Sequence, residues 1–124
     1  MKYTFTALME PKGKVRMTRA DAWKKRPCVL QYWAWVDEFR RYVPDFTGTP
    51  YKFEITFFRS FPKSYSKKKR EELFHKPCEE KPDVDNGAKT ILDVICKEDK
   101  FVYSLFVEKY WDYTPHIEIN FYTK

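Results

Sequence analysis

The stretch Lys81-Pro82-Asp83-Val84-Asp85-Asn86-Gly87-Ala88-Lys89-Thr90-Ile91-Leu92-Asp93 concentrates the side chains most able to do chemistry. Pro82 disfavours helix at Lys81, and a chain extended through Asp83 sends Asp83 and Asp85 to the same side. Two carboxylates in one small volume repel each other, and a divalent metal relieves that repulsion most strongly. Mg²⁺ is the matching ion, because it takes hard oxygen ligands and needs only one or two protein carboxylates beside substrate phosphate oxygens. A third acid would come from Glu98 or Asp99. From Asp85 onward, four-residue spacing places Asp85, Lys89 and Asp93 on one helical face, a cation between acids. The same residues also have a blander reading. Asp-x-Asp-Asn before a helix is good N-capping chemistry, and Lys89 is equally an ordinary ion-pair partner worth about 0.2–0.5 kcal/mol.

The elements that must position these residues are legible from periodicity. Residues 2 to 8 alternate as a strand, with Tyr3, Phe5 and Ala7 against Thr4 and Thr6. Thr18 is placed to cap a first helical piece. Pro27 starts a second that runs to Val43, with Val29, Tyr32, Trp33, Val36, Phe39 and Val43 as its apolar stripe and Trp35 off it. Residues 50 to 58 read as the clearest strand. Ser66 can cap a short basic helix through about Phe74, and a helix from Asp85 or Asn86 runs to about Cys96, burying Ile91, Leu92 and Ile95. Phe101 to Tyr110 and Pro115 to Tyr122 close the chain as an expected antiparallel hairpin. The order predicts one α+β domain over residues 1–124, with a mixed sheet, an N-terminal strand, helices and that C-terminal hairpin.

Composition bounds what such a domain does. The 124 residues are 43% hydrophobic and 19% aromatic, which excludes global disorder. No apolar run approaches the ~18–20 residues of a membrane span, so a soluble, cytoplasmic protein with no membrane partner is expected. Three cysteines, Cys28, Cys78 and Cys96, without Cys-x-x-Cys spacing, argue for reduced thiols. A zinc set drawn from His75, Cys78, Cys96 and His116 matches no paired-ligand spacing. Twenty-four Lys and Arg against eighteen Asp and Glu give a net charge of +6, a field that attracts polyanions. The cations cluster: Lys12, Lys14, Arg16 and Arg19, then Lys24-Lys25-Arg26, then Lys67-Lys68-Lys69-Arg70. The loop Pro11-Lys12-Gly13-Lys14-Val15-Arg16 combines backbone breakers with basic side chains, a composition suited to a phosphate chain.

Three segments together resemble the RusA-type Holliday junction endodeoxyribonucleases. These are the basic loop 11–16, the run Pro62-Lys63-Ser64-Tyr65-Ser66-Lys67-Lys68-Lys69-Arg70, and above all Lys81-Pro82-Asp83-Val84-Asp85-Asn86. Lys89, Leu92-Asp93, Glu98-Asp99, Val102 and Val107-Glu108-Lys109-Tyr110 follow in the family's order. Asn86-Gly87-Ala88 departs from the more apolar helix start usual there. The resemblance implies a homodimer that cuts branched DNA, chiefly the four-way junction, in recombination and repair, with Mg²⁺ and no small-molecule cofactor. It assigns the metal to Asp83, Asp85 and an acid of the Glu98-Asp99 pair, Asp99 favoured, and sets Lys89 beside the scissile phosphate. Phosphate contacts fall to Lys12, Lys14, Arg16, Arg19, Lys67, Lys68, Lys69, Arg70 and Lys81. A non-catalytic protein that binds branched DNA through the same basic surface is the alternative.

Overall fold

The computed structural model describes residues 1–15 and 26–124. Arg16, Arg19, Lys24, Lys25 and the expected Thr18 cap lie outside the described residues. Four strands, β1 (Lys2–Ala7), β2 (Pro50–Arg59), β3 (Ser104–Trp111) and β4 (His116–Thr123), form one mixed sheet. Among the described residues, three helices accompany it, α1 (Pro27–Arg40), α2 (Lys67–Leu73) and α3 (Val84–Ile95), with a 3-10 turn at Asp99–Phe101. This is the expected α+β domain. No helix among the described residues is long and apolar enough to cross a membrane.

Alternation sets the sheet's inner face. Ala7, Phe53, Ile55, Phe57, Ile117, Ile119 and Phe121 are buried, whereas Thr4, Thr6 and Glu118 between them face solvent. Phe39 of α1 and Ile91 and Ile95 of α3 join the same core. The α1 stripe differs from expectation at its tryptophans. Val29, Tyr32, Val36 and Phe39 are buried, but Trp33 is 38% exposed. Trp35 instead stacks on Phe39, with centroids 5.1 Å apart, and its indole N–H donates to the Glu10 carbonyl at 2.7 Å. The segment carrying Glu10 lies against this flank of α1 and shifts the covered face toward Trp35.

The sheet order β1-β4-β2-β3 corrects the C-terminal expectation: β3 and β4 form no antiparallel hairpin, because β2 lies between them. β4 pairs antiparallel with both β1 and β2, and β3 pairs parallel with β2. The Asp112 N–H donates to the Arg59 carbonyl at 2.9 Å, so the link from β3 to β4 crosses the end of β2. Skipping one strand means spanning about 10 Å, within the reach of about 13 Å available to residues 112–115. Parallel pairing of β2 with β3 demands a long crossover, which α2 and α3 supply. Among the described residues, the outer edge of β3 is covered only at its end, where Cys78 N–H donates to the Lys109 carbonyl at 3.0 Å and Trp111 N–H to the Lys76 carbonyl at 3.1 Å. Farther back, Leu105 and Phe106 are exposed.

Candidate active site

The acidic motif sits where the chain enters α3. Asp83 occupies the N-cap position in extended conformation (φ −61°, ψ 147°), and Asp85 falls in the first turn. The helix therefore starts at Val84, earlier than expected, and a helix start rather than strand alternation arranges the two acids. The Asp83 side chain makes no capping hydrogen bond, so capping is not its role. Both carboxylates are exposed, and neither has a hydrogen-bond or ion-pair partner among the described residues. Lys109 of β3 ties the approach to the sheet: its Nζ donates to the Pro82 carbonyl at 2.7 Å and also to the Glu80 carbonyl. Inside α3, a Cβ on Gly87 would meet the Phe57 ring at 3.0 Å. The residue that weakens the first turn is thus the one that lets α3 lie close on β2.

The basic loop lies across α3 as a strap. The Lys14 N–H donates to Asn86 Oδ1 at 3.2 Å, and Lys14 Nζ donates to Asp93 Oδ2 at 2.5 Å. Asn86 and Asp93 are two helical turns apart and so share a face. Gly13 passes so near that a Cβ would stand 2.4 Å from Asn86 Nδ2. The hydrogen bond to Asp93 holds the Lys14 ammonium above its ordinary pKa, outweighing the opposing effect of desolvation. Asp93 therefore takes its cation from the loop. Lys89, expected between acids, is exposed with no ion pair among the described residues.

The strap separates two clefts. One, of about 450 Å³, is lined by Lys12, Gly13, Arg59, Lys81, Asp83 and Asn86, among others. The other, of about 670 Å³, is lined by Lys14, Tyr32, Asp93, Glu98, Asp99 and Lys100, among others. Glu98 pairs with Lys100 at 3.3 Å, whereas Asp99 has no ion pair among the described residues. Burial, reinforced by Asp99 and Asp93, pushes the Cys96 thiol up to about 11, so both acids act on one neighbourhood. Burial and Asp93 raise Tyr32 as well.

Among the described residues, no three His, Cys, Asp or Glu side chains gather into a group able to hold a metal ion. Asp83 borders one cleft, whereas Glu98 and Asp99 border the other. The zinc set is likewise not assembled: His75 Nε2 meets Asp112 Oδ2 at 3.0 Å, and His116 Nδ1 meets the Thr114 carbonyl at 2.8 Å. The donor chemistry at Asp83 and Asp85 still suits Mg²⁺, two unbonded carboxylates being what this ion takes from a protein.

The cations divide by role. Lys12 and Lys81 line the smaller cleft, and Lys67, Lys68 and Lys69 are exposed on α2. Arg70 turns inward, its Nη2 donating to the carbonyls of Pro62 at 3.3 Å and Lys63 at 3.4 Å. It secures the loop before α2. Sequence reasoning missed Arg59 and underused Lys109 and Asn86. Arg59 had one local signal, a cation directly after the apolar pair Phe57-Phe58 at the end of its strand.

A small α+β domain with unbonded acids at a helix start, ringed by cations from separate segments, has the surface of a protein that handles phosphodiesters. The family model for endodeoxyribonuclease RusA matches residues 9–122, nearly the whole chain, and the protein belongs to that family. No curated protein matches the chain.

Proposed function

We propose that this protein is a Mg²⁺-dependent endodeoxyribonuclease that resolves four-way DNA junctions by paired cuts during recombination and repair. The observation that carries this reading is the pair of unbonded acids, Asp83 and Asp85, beside a cation-lined cleft, in a chain matched by the RusA family over residues 9–122. Asp83 and Asp85 hold the metal; Asp99, left unpaired while Glu98 is engaged by Lys100, borders the neighbouring cleft and would complete the set only on drawing in toward them. When bound, the ion supplies an activated water and Lewis-acid relief of phosphate charge. The protein's own side chains do the rest. Lys89, without an ion pair among the described residues, places a positive charge where the transition state accumulates negative charge. Lys12 and Lys81 take backbone phosphates in the cleft beside Asp83, and Lys67, Lys68 and Lys69 take them farther out; Arg16 and Arg19 are further phosphate ligands, and Lys14 joins them on release from Asp93. This gives salt-sensitive, mostly sequence-independent binding.

A junction has two strands to cut, so the proposal includes a homodimer presenting two identical sites. The uncovered part of the β3 edge, with Leu105 and Phe106 exposed, supports pairing with a second copy there. Phe106→Lys is expected to reduce a dimeric mass in light scattering to that of one chain; an unchanged mass would place the contact elsewhere.

One finding favours the non-catalytic reading: no three acids gather among the described residues. A cleavage assay decides. With Mg²⁺, the protein is expected to nick a synthetic four-way junction symmetrically. Asp83→Asn is expected to bind the junction and not cut it, and equal cutting by that variant would remove Asp83 from the site.

A further inference from the structure

We infer that Arg59 is a DNA ligand, forming with Lys12 and Lys81 a subsite for one backbone phosphate beside Asp83. The inference deepens the nuclease reading and rests on it for the identity of the phosphate's owner. Arg59 ends β2 and lines the cleft of about 450 Å³ that Lys12, Lys81 and Asp83 also line. Its guanidinium lies over the Trp111 ring, 5.1 Å from the centroid, and Phe61 stacks on that same ring at 5.3 Å. This packing orients the guanidinium plane and removes much of the side-chain freedom that binding would otherwise have to quench.

No ion pair neutralises the guanidinium among the described residues, although the Glu10 carboxylate lines the same cleft. Nη1 is shielded from solvent and has no hydrogen-bond partner. Glu10 is near enough to be influenced by Arg59, yet the two form no ion pair among the described residues. Both Glu10 carboxylate oxygens are instead engaged by Ser60, through its hydroxyl and its backbone N–H. A guanidinium that lines a cleft beside two lysines and is bonded to no carboxylate keeps donors for an anion entering that cleft. A phosphate matches it best, because its oxygens accept the planar fork's parallel hydrogen bonds. Lys12 and Lys81, themselves without ion-pair partners among the described residues, add charge from two other segments. Asp83 lines the same cleft, so a phosphate bound there lies next to the proposed cutting site.

The test uses the full chain and two probes. In ¹⁵N-resolved NMR, inorganic phosphate is expected to shift the Arg59 Nε–H and Trp111 indole signals saturably, and Arg59→Gln to abolish the Trp111 shift. On a synthetic four-way junction without Mg²⁺, Arg59→Gln is expected to weaken binding about tenfold and lower the slope of log K against log salt by about one. Arg59→Lys, which keeps charge and loses the fork, should recover the slope but only part of the affinity. Melting curves confirm that each variant is folded; if Arg59→Gln is not, the Arg59→Lys comparison and the wild-type phosphate titration carry the decision. Absence of a phosphate-dependent shift at Arg59, or junction affinity and slope unchanged in the variants, overturns the inference. A protein that binds phosphate at Arg59 but cuts no junction sinks the nuclease reading alone.

Discussion

The two sides of the Gly13-Lys14 strap carry similar residue types in opposite electrostatic states. Toward Asp93, most charges are paired: Lys14 is bonded to Asp93 and Lys100 to Glu98, with Asp99 left unpaired among the described residues. Toward Asp83, the cations Lys12, Arg59 and Lys81 have no ion pairs among the described residues, and Asp83 has no hydrogen bond. A self-compensated surface offers little to a polyanion, because every new contact must first break an internal one. On the other side, Lys12, Arg59 and Lys81 have no ion pair to break among the described residues. The comparison teaches that charge count does not locate a nucleic-acid site, whereas the pattern of unmet pairing does.

The comparison is open to challenge at several points. The largest effect is expected at Asp83. Asp83→Asn should lower junction cutting in Mg²⁺ by more than the roughly 10²–10³-fold that loss of one transition-state-stabilising donor costs. Asp93→Asn, on the compensated side, should cost far less, and comparable losses in steady-state cleavage rates would erase the distinction between the clefts.

The strap itself is the next target. Gly13→Ala drives a Cβ into Asn86, from 2.4 Å, and breaks the seat of Lys14 on α3. Asn86 Nδ2 is the movable end of its side chain, so urea unfolding is expected to register a loss of about 0.5–1.5 kcal/mol, the usual worth of the Lys14–Asn86 hydrogen bond given up.

A smaller effect concerns the Lys14–Asp93 pair, both of whose side chains are partly exposed. Its contribution should stay within about 1 kcal/mol and shrink in high salt. The folded-state pKa of Lys14 is raised above 10.5, so its contribution is fully present below that value and lost as pH climbs through the raised one. Alkaline unfolding of Asp93→Asn should therefore lack this increment, and identical alkaline profiles would show that the pair is energetically silent.

The smallest effect is chemical reactivity. With its thiol pushed up to about 11 and buried, Cys96 should react with iodoacetamide at pH 8 far more slowly than exposed Cys28. Mass mapping of the labelled cysteines reads the ratio directly, and fast labelling of Cys96 would contradict the acidic, buried setting assigned to it.

Much of the frame was legible beforehand, where neighbouring residues decide. The alternation of Ile117, Ile119 and Phe121, the Pro27 start of α1 and the Ser66 cap, whose Oγ accepts Lys69 N–H at 3.1 Å, all appear as read. Departures occur where a distant segment intervenes. β2 separates β3 from β4, and the segment at Glu10 draws in Trp35. At the site, residue types were visible but their pairings were not, since Lys14 reaches Asn86 and Asp93 across 72 and 79 residues of chain. A four-residue helical period suggested Lys89 as the partner of Asp93. The loop, closer in space though remote in sequence, took that place.

The amino-acid order by itself determined the acids at the start of α3, the periods of strands and helices, and the excess of cations, because backbone hydrogen bonding and side-chain alternation depend on near neighbours. The tertiary structure alone decided which charges neutralise each other and which stay unmet. Burial and through-space distance govern those pairings, and both follow from the placing of β2 at the sheet's centre and the strap across α3.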